Sequence, residues 1–229
     1  MFTQKVPGSA RKDAIRNHAN RYASERRNWV KRTQYFHDID KCYMRFLVPR
    51  NKRVLDLGCG AGDLLASLQP EVGVGIDLSS AMIDVARKQH PDLTFITGDA
   101  EDPALLQEIG KLPFDFIILS DTIGFLDDCQ NTFESLHALC HRDTRIIVNY
   151  YSYNWSPLLT LLEKTGLKMP QQENNYLSMD DIANIFELAD FDIVKQDRHT
   201  LVPVRLFGLG PLINRYLGVF PIIRSLCLR

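Results

Sequence analysis

The amino-acid sequence predicts a doubly wound α/β fold, in which a mostly parallel sheet lies between two layers of helices. Three observations predict it. Short apolar segments rich in β-branched and aromatic residues recur along the chain, and segments with helical spacing separate them. Such nearly continuous apolar strands are buried on both faces, so helices must cover both sides of the sheet. Three glycines at alternate positions follow the first apolar segment directly, in the stretch VLDLGCGAGD.

The N-terminal segment is basic and is predicted to be helical. Residues 10–47 lack strand alternation and contain no Gly or Pro, so we expect one or two helices before the sheet. Residues 1–53 hold 14 Lys and Arg against 4 Asp and Glu, which leaves 13 against 24 for the rest. We interpret residues 1–48 as a basic helical lid. A solvated helix face explains the charge, and an acidic substrate, a lipid surface or a nucleic acid is the alternative.

The remaining elements follow from local patterns. The six predicted strands are residues 53–57, 72–77, 93–97, 114–120, 145–151 and 191–196. The helices between and after them are predicted at residues 63–68, 80–90, 104–109, 129–140, 157–164 and 178–189. In the last of these, Ser178 is placed to cap the helix with Asp181 three residues later, and Ile182, Ile185, Phe186 and Ala189 share one face.

Length and composition indicate one domain with appendages. The chain of 229 residues is long enough for one large α/β core, which we place at residues 49–200 with an insertion at about 152–180. Residues 201–229 form an atypical extension, apolar with four arginines and no acid, in which two short amphipathic helices are expected. Five scattered cysteines without a CxxC pair, and no secretory signal, predict a cytoplasmic protein.

The glycine-rich stretch predicts a ligand site. In an open parallel sheet, ligands bind at the carboxyl ends of the strands where the strand order reverses. Bare glycines let a ligand approach backbone amides, and the N-terminus of the next helix favours a carboxylate or phosphate. Asp77 ends the second strand, 19 positions after Gly58, where an acid accepts hydrogen bonds from ribose hydroxyls. A ligand that contains a nucleoside is therefore predicted.

Asp56 and the glycine spacing distinguish between two nucleoside ligands. Asp56 lies two residues before Gly58, inside the first strand, where a buried carboxylate needs a partner such as an ammonium group. The spacing is GxGxG, whereas dinucleotide sites use GxGxxG. Both features favour a nucleoside that bears an amino acid. An NAD-dependent dehydrogenase is the less favoured alternative.

Residues 50–197 resemble the class I S-adenosylmethionine-dependent methyltransferases. VLDLGCGAGD, GIDLSSAMIDVARK, FITGDAED and PFDFIILSDTIGF resemble the four motifs of that family, in the same order. The resemblance implies a Rossmann-like sheet, S-adenosylmethionine as cofactor with S-adenosylhomocysteine as product, and no metal. It places Asp56, Gly58 and Gly60 at the methionine end, Asp77 on the ribose, Leu78 and Met82 against the adenine, Asp99 and Ala100 at the adenine edge, and Ser120 near the sulfonium.

Methyl transfer is an in-line displacement, so the protein must mainly hold the acceptor atom against the methyl carbon. A hydroxyl acceptor also needs a general base, whereas a carboxylate does not. His37 and Asp121 are the candidate bases. The candidate acceptor contacts are Asn149, Tyr151, Tyr153, Trp155, Asn175 and Tyr176. A helix-surface histidine, and core packing for the aromatic cluster, are the alternatives.

The predicted function is methylation of a small-molecule acceptor at oxygen or nitrogen. The basic N-terminus suggests an RNA or protein methyltransferase instead, but SDTIGF differs from the Asn/Asp-Pro-Pro-aromatic box of enzymes that methylate planar exocyclic nitrogens, so we do not expect nucleic acid as a partner. A non-catalytic S-adenosylmethionine-binding regulatory subunit is a further alternative.

The C-terminal extension departs from the family pattern. In the family, a reversed seventh strand follows the sixth, but here it could begin only at the last residues of the extension. Either the strand is missing, or a longer natural chain continues past Arg229. With the basic N-terminal helices, the extension could contact a membrane surface or a lipid-linked acceptor. Packing over the acceptor pocket, or against the twin subunit of a homodimer, is the favoured alternative.

Overall fold

Three helices precede the sheet in this computed structural model, which describes residues 9–111, 113–151, 160, 163–164, 169 and 177–198. They are α1 (Ala10–Tyr22), α2 (Arg26–Arg32) and α3 (Gln34–Leu47), where the sequence predicted one or two. α1 begins where the Ser9 side chain accepts a hydrogen bond from the Lys12 N–H. α2 and α3 are separated at Thr33, whose hydroxyl donates back to the Trp29 carbonyl at 3.0 Å.

Five strands form one parallel sheet, which confirms the predicted doubly wound α/β architecture. The strands are β1 (Arg53–Leu57), β2 (Val72–Asp77), β3 (Thr94–Thr97), β4 (Phe114–Ser120) and β5 (Cys140–Asn149). Their order is β3-β2-β1-β4-β5, and each pair of neighbours is parallel. The register places Leu55 beside Val74 of β2 and Ile117 of β4. The strand order therefore reverses at β1, which lies between β2 and β4.

The helices that follow the strands begin at capping side chains. They are α4 (Asp63–Ser67), α5 (Ser80–Gln89), α6 (Pro103–Ile109), α7 (Cys129–Leu136) and α8 (Met179–Leu188). The side chains of Ser79, Asp102, Asp128 and Ser178 accept hydrogen bonds from backbone N–H groups in the first turns of α5, α6, α7 and α8. The predicted capping box of Ser178 and Asp181 is present. In the described part of the chain, no helix is both long and apolar enough to cross a membrane.

Alternate side chains of the strands pack into two separate cores. One core joins the sheet to the C-terminal helices and includes Leu55, Leu57, Ile117, Leu119, Leu106, Phe133, Leu136 and Ile182. The other joins the opposite face to α3, α4 and α5 and includes Val54, Ile118, Met44, Leu65, Ile83 and Ala86. Both faces are therefore covered by helices, as the apolar strands require.

β5 begins five residues earlier than predicted. The predicted helix over residues 129–140 ends at Leu136, and a 3₁₀ turn, His137–Leu139, leads into the strand at Cys140. The pairing of β4 with β5 shifts register near Phe114. There the Thr144 hydroxyl donates to the Phe114 carbonyl at 2.7 Å and accepts the His141 N–H at 2.8 Å. This side chain replaces ladder hydrogen bonds and keeps an irregular segment in the sheet.

The predicted sixth strand, residues 191–196, is wrong. In the described residues this segment is irregular and pairs with no strand, and Val194 is 73% exposed. The segment contacts α3 instead, where Lys195 Nζ donates to the Tyr43 hydroxyl at 3.4 Å, and that hydroxyl donates to the residue after the segment, Asp197, at 3.0 Å. A short apolar run becomes a strand only where a sheet edge pairs with it. Most of the predicted 157–164 helix, and all predicted elements of residues 201–229, lie outside the described residues.

Arg11 fixes α1 to the loop that follows β4. Its guanidinium donates to the carbonyls of Gly124 at 2.7 Å, Phe125 at 3.1 Å and Leu126 at 3.2 Å. It also forms an ion pair with Asp127 at 2.8 Å. Because most of these acceptors are backbone carbonyls, Arg11 holds α1 against the backbone of this loop.

We expect the Arg11→Met variant to lose about 1.5 to 3 kcal/mol of unfolding free energy, because three carbonyls lose a charged donor while the apolar stem is kept. Urea denaturation followed by circular dichroism measures the change. The matched control is Arg16→Met. Arg16 pairs with Asp13 of the same helix, partly in solvent, so its loss should stay within about 0.5 kcal/mol. Equal losses in both variants would contradict this role of Arg11.

Candidate functional site

A cavity of about 870 Å³ lies at the carboxyl ends of the strands, where the strand order reverses. Its floor is formed by the segments that follow β1, β2, β3 and β4, and α1, α2 and α3 supply further walls. Its volume lies within the range typical of small-molecule sites. The predicted location of the site and the cavity therefore coincide.

The glycine loop after β1 is shaped by the protein's own side chains. Gly58 has φ +81°, and its N–H donates to the Ile76 carbonyl at 2.8 Å. A Cβ on Gly58 would lie 2.1 Å from the Thr122 hydroxyl oxygen, and one on Gly60 would lie 3.2 Å from Nη2 of Arg26. The sequence interpretation attributed these glycines to the approach of a ligand. The structure shows that Thr122 and Arg26 occupy that space.

Asp77 is held in a fixed orientation at the end of β2. Its Oδ2 accepts the Gly60 N–H and its Oδ1 accepts the Ser79 N–H, both at 2.8 Å. A carboxylate has about four acceptor positions, so each oxygen retains capacity for a ligand hydroxyl. Leu78 and Met82 line the cavity beside it. The structure thus brings these three predicted residues together.

Asp56 is a buried acid that lines the cavity. It is 2% exposed, and this burial, together with the nearby charge of Asp77, raises its pKa to about 7, while Arg26 opposes the shift. Burial also raises the pKa of Asp77, against the opposing effects of the Ser79 and Gly60 N–H groups and Arg26. The protein therefore keeps two acids together with only partial compensation of their charge.

Lys12, in the first turn of α1, compensates a second pair of acids, which follow β3. It is 6% exposed and forms ion pairs with Asp99 and, at 2.6 Å, with Glu101. Burial lowers the Lys12 pKa, but hydrogen bonds and charge attraction from both acids outweigh burial and raise it. Ala100, between the two acids, also lines the cavity. The solvated helix face that explains the basic charge of the N-terminal segment therefore does not include Lys12.

The other end of the cavity contains aromatic and ionisable side chains. His37, Ser120, Asp121 and Tyr151 line it as the sequence proposed. Phe36 of α3 stacks on Tyr151, with ring centroids 5.7 Å apart and planes inclined by 17°. This wall joins the N-terminal helices to the end of β5.

Asn149, a predicted acceptor contact, is not among the described residues that line the cavity. It is the last residue of β5, and its side chain is buried and donates to Oδ1 of Asp40 at 2.7 Å. Asp40 itself lines the cavity. Asn149 also holds Asp121 through its carbonyl, which accepts the Asp121 N–H at 2.7 Å. Its role in this geometry is to position two acids.

Sequence reasoning missed the contributions of the N-terminal helices. The missed residues of these helices that line the cavity are Lys12, Arg26, Trp29, Phe36 and Asp40, and Thr122 after β4 was also missed. The one available signal was the charge asymmetry, since the excess of acids after residue 53 matches the excess of bases before it. Tyr153, Trp155, Asn175 and Tyr176 lie outside the described residues. Among the described residues, no group of three or more His, Cys, Asp and Glu side chains could hold a metal ion.

Sequence comparison finds one family and several relatives. The model of the methyltransferase domain family matches residues 30–196, more than half of the chain. A demethylmenaquinone methyltransferase of Thermotoga maritima is 26% identical over 162 residues, which cover 62% of this chain and 71% of that protein. A demethylmenaquinone methyltransferase of Chlorobaculum tepidum is 39% identical over 69 residues, or 29% of this chain. That match spans only 25% of the relative's length.

Structure comparison finds the same fold in solved methyltransferases. Magnesium protoporphyrin IX methyltransferase from Synechocystis PCC 6803, with bound S-adenosylhomocysteine, superposes with a TM-score of 0.61 at 20% identity, over 81% of this chain and 91% of that chain. An S-adenosylmethionine-dependent methyltransferase from Thermotoga maritima also gives 0.61, at 17% identity, over 78% and 82%. At these identities the likeness concerns the fold.

We expect the Asp56→Asn variant to stabilise the ligand-free protein more at pH 8 than at pH 5. The folded-state pKa of about 7 lies above the ordinary value of 3.8, so the folded protein retains a proton that the unfolded chain releases between these values. The stability that Asp56 contributes is therefore lost as pH rises from about 4 to 7. The gain from the variant should grow by roughly 2 to 3 kcal/mol between the two pH values.

Urea denaturation at both pH values measures this difference. The titratable and charged groups that face Asp56 are Cys59, Asp77 and Arg26, and they are unchanged in the variant. Asp84→Asn is the control, because Asp84 is an exposed acid on α5. A gain from Asp56→Asn that does not change with pH would show that Asp56 is ionised throughout this range.

Proposed function

The chain belongs to the methyltransferase domain family, and from this premise we propose that it methylates a small-molecule acceptor at oxygen or nitrogen. Membership of the family, and a fold shared with solved S-adenosylmethionine-dependent methyltransferases, support S-adenosylmethionine as the methyl donor. The identity of the acceptor, the methylated atom and the roles of single residues are our proposal. Relatives named demethylmenaquinone methyltransferase support an acceptor of small size.

The single observation that carries the proposal is the shape and composition of the cavity. It extends from the Asp77 loop to Phe36, His37 and Tyr151, with a volume of about 870 Å³. A space of this size, walled by helices, suits a nucleoside cofactor together with a modest acceptor better than a duplex. The aromatic wall of Phe36 and Tyr151 suits an acceptor with a flat apolar part.

The residues at the strand ends fit S-adenosylmethionine. We assign Asp77 to the ribose hydroxyls, Asp56 to the ammonium group, Leu78 and Met82 to the adenine face, Asp99 and Ala100 to the adenine edge, Ser120 to the sulfonium side, and Gly58 and Gly60 to the methionine end. The fit rests on the orientation of Asp77 by two N–H groups and on the burial of Asp56. When bound, the sulfonium supplies an electrophilic methyl carbon.

The acceptor end can hold an acceptor and remove its proton. We assign His37 or Asp121 as the general base, because both line the cavity at this end. The hydrogen bonds from Asn149 to Asp40 and from the Asp121 N–H to Asn149 hold the two acids in position. Tyr151 contributes an apolar face with a polar edge, and Tyr153, Trp155, Asn175 and Tyr176 remain proposed acceptor contacts.

The structure weakens the argument for RNA or protein as the acceptor. That alternative rested on the basic N-terminus. Arg11 and Lys12 are engaged with Asp127, Asp99 and Glu101 inside the protein, and Arg26 lines the cavity. Part of the positive charge is therefore used internally, and a smaller part is left for a polyanion.

We expect the Asp77→Ala variant to bind S-adenosylmethionine and S-adenosylhomocysteine more weakly by roughly 1.5 to 3 kcal/mol, because the ribose loses charged acceptors. Isothermal titration calorimetry measures the change, and NAD is titrated in parallel. The native protein should bind both adenosyl ligands and not NAD. The control is Asp92→Ala, which removes an exposed acid before β3. Unchanged affinity in a folded Asp77→Ala protein would refute this pose.

We expect His37→Ala or Asp121→Asn to lower the rate of methyl transfer by about 10²- to 10⁴-fold if that residue is the base, with cofactor affinity retained. Methyl-labelled S-adenosylmethionine is incubated with the protein and a cell extract, and the label is followed into the small-molecule, RNA and protein fractions. Label in RNA or protein would contradict the small-molecule proposal. Cofactor binding without turnover on any fraction would favour the regulatory subunit. If both variants keep the native rate, neither residue is the base.

A further inference from the structure

Arg26 is a basic residue that lies beside the glycine loop. It is the first residue of α2, and its Nη2 lies 3.2 Å from the position that a Cβ on Gly60 would take. Its Nε is buried and has no hydrogen-bond partner among the described residues. A buried donor without a partner is costly, and native structures retain few of them. The side chain thus directs an unsatisfied donor into the region of the cavity beside Gly60.

The acids near Arg26 do not satisfy it. The charge of Arg26 opposes the rise that burial causes in the pKa of both Asp56 and Asp77, yet neither acid forms a direct ion pair with it in the described part of the chain. Both oxygens of Asp77 already accept backbone N–H groups. Arg11 and Lys12 differ in this respect, since each has a direct carboxylate partner. Arg26 and Asp56 therefore line one cavity as opposite charges that are not joined to each other.

We propose that Arg26 binds the α-carboxylate of S-adenosylmethionine while Asp56 binds its ammonium group. An amino-acid zwitterion presents both charges on groups attached to one carbon, and it matches a cavity with an acid and a guanidinium beside one loop. A guanidinium favours carboxylates because two of its N–H groups can donate in parallel. The inference rests on the proposed function, and it makes α2 the element that distinguishes this ligand from nucleosides without an amino acid.

The position of α2 extends this role to the acceptor end. α2 is followed through Thr33 by α3, which carries Phe36, His37 and Asp40 on the cavity wall. A carboxylate held by Arg26 would therefore fix the helix that precedes the acceptor wall. Arg26 is thus a specificity-determining residue at the methionine end and a positioning residue for α3.

The test uses three adenosyl ligands, of which the first two differ only by the carboxylate and the third lacks both the amino-acid portion and the sulfonium charge. They are S-adenosylmethionine, decarboxylated S-adenosylmethionine, which lacks only the carboxylate, and 5′-methylthioadenosine, which lacks the amino acid. Calorimetric titration of the full chain and of Arg26→Gln gives the affinities. We expect the variant to bind S-adenosylmethionine about 10- to 100-fold more weakly, and the other two ligands within about threefold of the native values.

The matched control is Arg27→Gln, which makes the same charge change at the exposed neighbouring position and should leave all three affinities unchanged. An equal loss for S-adenosylmethionine and its decarboxylated form in Arg26→Gln would overturn the proposal and leave the methyltransferase function intact. Failure of the native protein to bind S-adenosylmethionine would instead refute the proposed cofactor site itself. If Arg26→Gln does not fold, the native protein decides: it must prefer S-adenosylmethionine to the decarboxylated form by about tenfold or more, and equal affinities overturn the proposal.

Discussion

Compensation of buried negative charge is the constraint on which this structure depends. The carboxyl edge of the sheet gathers Asp56, Asp77 and Asp99, and moving carboxylates out of water is costly unless cations or donors accompany them. The sheet supplies donors for Asp77 from its own loops. For Asp99 the partner is Lys12, 87 residues away, on the first helix. The N-terminal helices are therefore held over the cavity by the same acids that make it suitable for a polar ligand.

The sheet could be predicted from the sequence because its signals are local. β1, β2 and β4 are short apolar runs bounded by turn residues, and the helices begin at capping side chains such as Ser79 and Ser178. Residues 191–196 have a similar apolar pattern without forming a strand. Whether such a segment becomes a strand depends on a free sheet edge, which is a property of the tertiary structure. The start of β5 at Cys140 also depends on the tertiary structure, because the Thr144 hydroxyl joins the Phe114 carbonyl of β4 to the His141 N–H of β5.

The residues of the candidate site also differ in whether a local sequence pattern could locate them. Asp56, Gly58 and Asp77 could be located from sequence because each lies at a fixed offset from a strand end, and parallel strands end at one edge. Lys12 and Arg26 could not, because no local pattern relates a helix at the start of the chain to a loop after β1 or β3. The opposite charge excesses before and after residue 53 were the only trace of this pairing. Nor could the sequence show that Gly58 also makes room for a side chain of the protein, that of Thr122.

At the proposed methionine end, the described residues only partly compensate the charged groups of the cavity. Asp56 has a pKa of about 7, and Arg26 retains a buried donor that no described residue satisfies. A ligand with an ammonium group and a carboxylate would pair with both Asp56 and Arg26, whereas a neutral nucleoside would supply neither charge. The proposed ligand would thus contact α2 through Arg26, and α2 leads through Thr33 into α3, which carries Phe36, His37 and Asp40 on the cavity wall.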